Sequence, residues 1–176
     1  SIVFSLAFTW KLWYDKTSLL KQRQNRREFV MEGTYMAYVG SYSYTGKAKG
    51  ITVYVVDVEK GRFEKRCEVE VNNSSYVIVS NSGKTLYSIA DEGVVSFRIL
   101  ENGALTRLNS ANIKGMRGCH LPTDAEDKYL FVSGYHDGKA TILKLNPDGS
   151  IGRIVDGVFH KGYGSVAERN FRPHIS

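Results

Sequence analysis

Three side chains in this sequence are of types that carry out acid–base and anion-binding chemistry. His120 lies in the segment GCHL, and Arg169 and His174 lie in RNFRPHIS at residues 169–176. A histidine titrates near neutral pH and can transfer a proton, and an arginine guanidinium binds phosphate or carboxylate through paired hydrogen bonds. An arginine, a proline and a histidine packed this closely are typical of a functional site or a turn.

Each candidate also has a purely structural interpretation. A histidine at a strand start, such as His120, is often hydrogen-bonded to the neighbouring backbone. Arg169 follows Glu168, with which it can form a solvated ion pair of little energetic weight, and His174 follows Pro173 in what can be a simple turn. The remaining histidines are interpreted as solvated loop residues beside charged neighbours: His136 with Asp137, and His160 with Lys161.

The elements that must position these residues are predicted to be β-strands. The chain has 176 residues, of which 42% are hydrophobic and 12% aromatic, enough apolar material for a packed core. It contains eleven Tyr, eight Phe and seventeen Gly but only three Pro. This composition favours short strands separated by glycine turns over long helices. The predicted fold class is therefore all-β.

The basic charge of the chain is concentrated at one end. The formal net charge is +6, and residues 1–30 carry +4 of it, from six Lys/Arg against two acidic residues. The charge of the remaining residues therefore does not indicate a basic surface across the main domain. A nucleic-acid partner is not expected.

The two cysteines and the apolar N-terminal stretch point away from secretion and membrane insertion. Cys67 and Cys119 lie 52 residues apart, with no CxxC or CxxH spacing around either. This argues against a zinc site and a disulfide scaffold and favours a reduced, cytoplasmic setting. The apolar stretch SIVFSLAFTW at residues 1–10 is shorter than the ~20 residues that a membrane span needs. No membrane partner is expected.

Residues 1–30 are predicted to be a leader outside the main domain, which then covers residues 31–176. The leader has no turn chemistry that couples it to the patterned region starting at Met31. Two interpretations remain open: a targeting or membrane-surface helix, and an upstream extension or artefact.

From Met31 onward the sequence repeats itself weakly with a period of 40–50 residues. Residues 36–66, 84–108 and 128–154 each contain an aromatic strand, a second alternating strand and a turn ending in glycine. The turn glycines Gly61, Gly103 and Gly149 are separated by 42 and 46 residues, and the strand aromatics Tyr38, Tyr87 and Phe131 by 49 and 44. A repeat of this length built from four short strands is typical of a β-propeller blade.

The strand and turn chemistry is consistent with blades. In ITVYVVDV, either Ile51, Val53 and Val55 or the alternating set beginning at Thr52 can face inward, since both sets are largely apolar. Apolar residues on both faces are expected of a sheet that lies between two neighbours. The turns EKG, ENG and PDG end in glycine, which tolerates the positive φ that a hairpin reversal requires.

Five segments in order resemble the lactonase family of seven-bladed propellers, over residues 35–174. These segments are YVGSY (38–42), GITVYVVD (50–57), NNSSYVIVSNSGKTLYSIADE (72–92), GCHLPTDAEDKYLFVSGYHDGKATILKL (118–145) and HKGYGSVAERNFRPH (160–174). The family includes propeller-type 6-phosphogluconolactonases and fungal carboxy-muconate cycloisomerases. Because its members run to about twice this length, the resemblance implies about three four-stranded antiparallel blades of an incomplete ring.

The resemblance also implies a site and a reaction. RNFRPH is similar to the family's R-Q-x-x-P-H segment, with Asn170 in place of Gln and Ser176 where a second histidine is common. It implies that His174 and Arg169 are catalytic or substrate-orienting groups and that His120 helps to bind or polarise the substrate. The implied function is hydrolysis of a phosphorylated sugar lactone in the pentose phosphate route, with no metal or other cofactor.

Three other functions remain open on the sequence. One is a metal-dependent gluconolactonase propeller, whose activity an added chelator should abolish. A muconate-type cycloisomerase closes a lactone in a cavity of the same kind, with a different substrate. A non-catalytic propeller binds a ligand or a protein partner, as WD-type repeats do, although no blade here ends in a Trp-Asp pair. The oligomeric state is not predicted.

Overall fold

Every regular element of the described chain is a β-strand, which confirms the predicted all-β class. The computed structural model describes residues 5–9, 35–162, 165–166 and 173–175. The strands are β1 Ser5–Thr9, β2 Tyr35–Gly40, β3 Gly50–Asp57, β4 Arg62–Glu70, β5 Val77–Val79, β6 Thr85–Ala90, β7 Gly93–Ile99, β8 Leu105–Ala111, β9 Tyr129–Ser133, β10 Lys139–Leu145 and β11 Ile151–Phe159. In this part of the chain, no helix is long and apolar enough to cross a bilayer.

The strands form three antiparallel sheets, each an up-and-down meander. The first blade is β1-β2-β3-β4, the second is β5-β6-β7-β8, and the third contains β9-β10-β11. Residues 120–123 occupy the inner place of the third blade, through the bridges His120↔Ser133 and Thr123↔Leu130. Sheets of this size and order are propeller blades, as the repeat predicts.

The inner strand of the first blade comes from the leader. Its register with β2 runs from Ser5↔Gly40 to Thr9↔Met36. In the second and third blades, by contrast, the inner strand directly precedes its neighbour along the chain. The other residues of the predicted leader lie outside the described residues.

The core consists of two clusters, one on each side of the second blade. Leu86 and Phe97 pack with residues of the first blade, including Tyr38. Tyr87 and Ile89 pack with residues of the third blade. All six residues of β6 are buried, because this strand is covered on both faces.

In β3, one of the two predicted inward sets, Ile51, Val53 and Val55, faces the core shared with the second blade. Ile51 and Val53 are fully buried, as in one predicted set. The pairing with β4 then shifts between Val53 and Tyr54. Beyond this shift Val56, a member of the other set, is more deeply buried than Val55. Val55 nevertheless packs against the same core cluster as Ile51 and Val53, whereas Val56 belongs to neither of the two clusters.

A tyrosine and a turn glycine link each blade to the next. The Tyr38 hydroxyl donates to the Gly103 carbonyl at 2.9 Å, and the Tyr87 hydroxyl donates to the Gly149 carbonyl at 3.0 Å. The predicted turn glycines have positive φ, with 60° at Gly61, 78° at Gly103 and 85° at Gly149. Burial raises the pKa of Tyr87, so this hydroxyl remains a donor. The aromatic and glycine periods thus meet at these two junctions between blades, whereas the third aromatic, Phe131, is exposed.

Asp127 joins the second and third blades at the same edge as the Gly149 turn. Its carboxylate accepts hydrogen bonds from the Asn81 and Ser82 backbone N–H groups at 2.9 and 2.8 Å, and from the Thr123 hydroxyl at 2.9 Å. Burial acts to raise the pKa of Asp127, but these hydrogen bonds together outweigh it, and the net shift is downward. The charged carboxylate therefore stabilises the blade pair.

Candidate functional site

The candidate residues lie at one edge of the blades, which we call the entry edge. It consists of the segments that lead into the inner strands, residues 71–76 and 112–119, and of the turns that follow β2, β6 and β9. Because neighbouring strands are antiparallel, the start of each inner strand and the end of the next strand meet there. Segments distant in sequence are thereby brought together.

His120 begins the inner strand of the third blade, and Tyr76 has the equivalent position in the second. The His120 carbonyl accepts a hydrogen bond from the Ser133 N–H at 3.0 Å, and the Tyr76 carbonyl accepts one from the Ile89 N–H at 2.9 Å. Their rings contact each other edge to face, with centroids 5.0 Å apart. Sequence reasoning missed Tyr76, although aligning Ser75-Tyr76-Val77 with Cys119-His120-Leu121 identifies it.

His120 is hydrogen-bonded through its backbone and not through its imidazole. The structural interpretation of His120 expected a hydrogen bond to neighbouring backbone. In the structure that hydrogen bond joins the main-chain groups of His120 and Ser133. Within the described residues the imidazole nitrogens have no hydrogen-bond partner, and the side chain is half-buried. A half-buried imidazole against an aromatic ring can donate to or accept from a ligand.

His174 lies against the turn that follows β9. Its ring stacks on Tyr135, with centroids 4.3 Å apart and an interplanar angle of 16°. Its Nδ1 is hydrogen-bonded to the Tyr135 backbone carbonyl. Because a carbonyl oxygen only accepts, Nδ1 is the donor, and in the neutral imidazole Nε2 holds the lone pair. This tautomer suits a general base.

The chain around His174 is held by the third blade. The Cys119 thiol donates to the Ile175 carbonyl at 3.2 Å, and burial raises the pKa of this thiol, which keeps it protonated. Gly138 lies so close to Pro173 that an added Cβ would stand 2.7 Å from the Pro173 carbonyl oxygen. Since Cys119 adjoins His120 and Ile175 adjoins His174, the structure brings the two predicted histidines to one edge of one blade.

Replacing Gly138 with alanine is expected to displace the His174 segment. Gly138 has a φ of 62°, and Gly46, the matched control, has a φ of 71° with nothing within 4 Å of an added Cβ. Both variants should lose about 1 kcal/mol of stability from backbone strain. Only Gly138→Ala should raise the rate of Cys119 alkylation by iodoacetamide, measured by peptide mass mapping. Equal rates in the two variants would contradict this contact.

Asp137 and Lys139 are buried, so the predicted solvated setting is wrong for Asp137. The Asp137 carboxylate accepts from the Met116 N–H at 2.7 Å. The Lys139 ammonium donates to the Ile113 and Lys114 carbonyls at 2.9 and 2.8 Å. A buried charge persists only when it is paired or hydrogen-bonded in this way. Together the two side chains fix the segment that leads into His120.

Arg169 lies outside the described residues, as does Glu168, its proposed ion-pair partner. His136 and His160 are exposed, as predicted. Where the structure describes the chain, no group of three or more His, Cys, Asp or Glu side chains is placed to hold a metal ion.

Comparison with known proteins identifies one family. The family model described as "Lactonase, 7-bladed beta-propeller" matches residues 36–175. A Bacillus subtilis protein named 6-phosphogluconolactonase is 33% identical over 146 residues, which are 80% of this chain and 41% of that protein. A Formosa agariphila protein of the same name is 28% identical, over 78% of this chain and 41% of that protein.

A solved structure shares the arrangement of strands. It belongs to a Bacteroides fragilis protein described as a candidate 6-phosphogluconolactonase, with a TM-score of 0.75 and 30% identity, over 84% of this chain and 42% of that one. The chain thus spans about two fifths of the length of the relatives it matches.

Proposed function

This chain belongs to the lactonase family of seven-bladed β-propellers, and on that premise we propose that it is part of a 6-phosphogluconolactonase. The observation that carries the proposal is His174, whose Nδ1 donates to the Tyr135 carbonyl, so that Nε2 is available as a base. The relatives named 6-phosphogluconolactonase in Bacillus subtilis and Formosa agariphila supply the class of reaction. These names favour hydrolysis over the cycloisomerase and binding-propeller alternatives.

In the proposed reaction, water opens a cyclic sugar ester. His174 Nε2 takes a proton from water as the water oxygen attacks the lactone carbonyl carbon. Arg169 orients the substrate, and His120 polarises the carbonyl or donates to the developing oxyanion. The ring C–O bond then breaks, His174 returns the proton to the leaving ring oxygen, and the product is an open-chain sugar acid. No step requires a metal or other cofactor.

The proposed substrate is a phosphorylated sugar lactone, as in the oxidative pentose phosphate route of carbohydrate metabolism. We place the protein in the cytoplasm, which the free thiols of Cys67 and Cys119 support. We propose that the propeller domain covers residues 31–176, which is supported by a family match that begins at residue 36. The β1 strand of the leader is then docked on the inner edge of that domain.

Turnover of freshly generated 6-phosphogluconolactone tests this function. The 176-residue chain is compared with a version extended downstream of Ser176 from its own genomic sequence. We expect hydrolysis above the spontaneous rate, unaffected by a chelator, in the extended version at least. A folded extended version without turnover would refute the proposal.

A further inference from the structure

A network of polar side chains at the entry edge holds one arginine in a defined position. Arg117 Nη2 lies 3.1 Å from Asp91 Oδ1. The second Asp91 oxygen accepts from the Asn73 side-chain amide at 2.7 Å, and Asn73 Oδ1 accepts from the Ser43 and Tyr44 N–H groups at 2.9 and 3.0 Å. The network joins all three blades.

The Arg117 guanidinium is also placed over an aromatic ring. Its Cζ lies 5.4 Å from the centroid of Tyr42, which follows β2. A cation–π contact and a carboxylate partner together restrict a side chain that is otherwise rich in rotamers. The orientation of Arg117 is therefore set before any ligand arrives.

Arg117 remains able to bind an anion. The ion pair with Asp91 uses one terminal nitrogen, whereas a guanidinium has five N–H donors. About a third of the side chain is exposed, at 35%. Within the described residues, no further hydrogen bond occupies the guanidinium. The remaining donors match the paired oxygens of a phosphate group.

Arg117 belongs to the same edge as the two candidate histidines. It lies three residues before His120, in the segment 112–119 that crosses from β8 to the inner strand of the third blade. Its partner Asp91 immediately follows β6, at the end that adjoins Tyr76. Tyr76 in turn contacts His120. The cation and the imidazole therefore flank the same region.

We propose that Arg117 binds the phosphate group of a phosphorylated sugar lactone and selects it over the unphosphorylated lactone. This rests on the proposed lactonase function. Asp91 and Asn73 are positioning residues that hold the guanidinium. His174 and His120 act on the lactone end of the same substrate, so Arg117 contributes mainly to substrate binding.

The test compares two lactones in the chain and in its extended version. Arg117→Ala should lower kcat/KM for 6-phosphogluconolactone by roughly 10- to 100-fold, mainly through KM, because a charge-assisted hydrogen bond to phosphate is lost. For unphosphorylated gluconolactone, kcat/KM should stay within about 3-fold. Arg117→Lys should fall between wild type and alanine, since an ammonium keeps the charge but not the paired donors. Arg107→Ala, at an exposed arginine in the outer strand β8, is the matched control and should change neither value.

Equal losses on both lactones, or no loss on either, would overturn the role of Arg117. If wild-type protein hydrolyses neither lactone, the proposed reaction fails, and calorimetric binding of 6-phosphogluconate and gluconate decides the role of Arg117 separately. Tighter binding of the phosphorylated acid, with the preference abolished in Arg117→Ala, would support it. Absence of that preference would refute it. Thermal melts of each variant establish that the protein is folded.

Discussion

Replacing His174 with alanine is expected to lower kcat/KM for 6-phosphogluconolactone by roughly 10²- to 10⁴-fold, the usual contribution of a general base. The substitution removes Nε2, which the hydrogen bond from Nδ1 to the Tyr135 carbonyl leaves as the acceptor. Little stability should be lost, because the side chain is exposed. The measurement is initial-rate hydrolysis at neutral pH in the extended version, corrected for spontaneous ring opening.

A glutamine at the same position separates catalysis from structure. The amide of His174→Gln can still donate to the Tyr135 carbonyl, but at neutral pH it cannot take a proton from water. We therefore expect His174→Gln to be as inactive as His174→Ala. Recovery of activity with glutamine would assign His174 a structural role. His160→Ala, which removes another exposed imidazole, serves as the control and should keep full activity.

Gly93→Ala is expected to cause a large loss of stability, about 3–5 kcal/mol in the free energy of unfolding. Gly93 begins β7 with a φ of 142°. An added Cβ would collide with the Ala111 carbonyl oxygen and stand 3.0 Å from the Asn112 Cα. These are backbone atoms of β8 and of the crossing that follows it, so no side-chain rotation relieves the clash. Urea denaturation followed by tyrosine fluorescence measures the change.

Gly83→Ala is the matched control for this prediction. Gly83 also has positive φ, at 69°, but an added Cβ there has nothing within 4 Å. Its cost should be limited to the backbone strain, about 1 kcal/mol. Similar midpoints for the two variants would show that the close approach of β7 to the crossing is not important for stability. Gly50 begins β3, and an added Cβ there would collide with the Val71 backbone in the same way. The first blade therefore has the same requirement for glycine as the second.

Much of the fold was predictable because it depends on local chemistry repeated along the chain. The period of 40–50 residues and the turns that end in glycine predicted blades, and the three sheets confirm them. Gly61, Gly103 and Gly149 were predicted to have positive φ from the turn residues beside them, and they do. Turn geometry is determined within a few residues, so sequence reports it well.

Candidates for the site could be named from the sequence, but only as residue types and a family motif, and their roles stay predictions. His120 and His174 were named as candidates, whereas their neighbours Tyr76 and Tyr135 were not. The burial of Asp137 was missed because a charged residue in a loop is normally solvated. Here the Asp137 carboxylate accepts a hydrogen bond from the Met116 N–H, which lies 21 residues earlier in the chain.

The sequence by itself thus determined the strands, the turns and the lactonase membership of this protein. Tertiary structure alone decided which side chains meet at the entry edge: Tyr76 with His120, His174 with Tyr135, and Arg117 with Asp91 and Tyr42. It also paired β1 of the leader with β2. The physical reason is that strand patterning and turn chemistry act over a few residues, whereas these contacts join different strands and blades and depend on how the sheets pack.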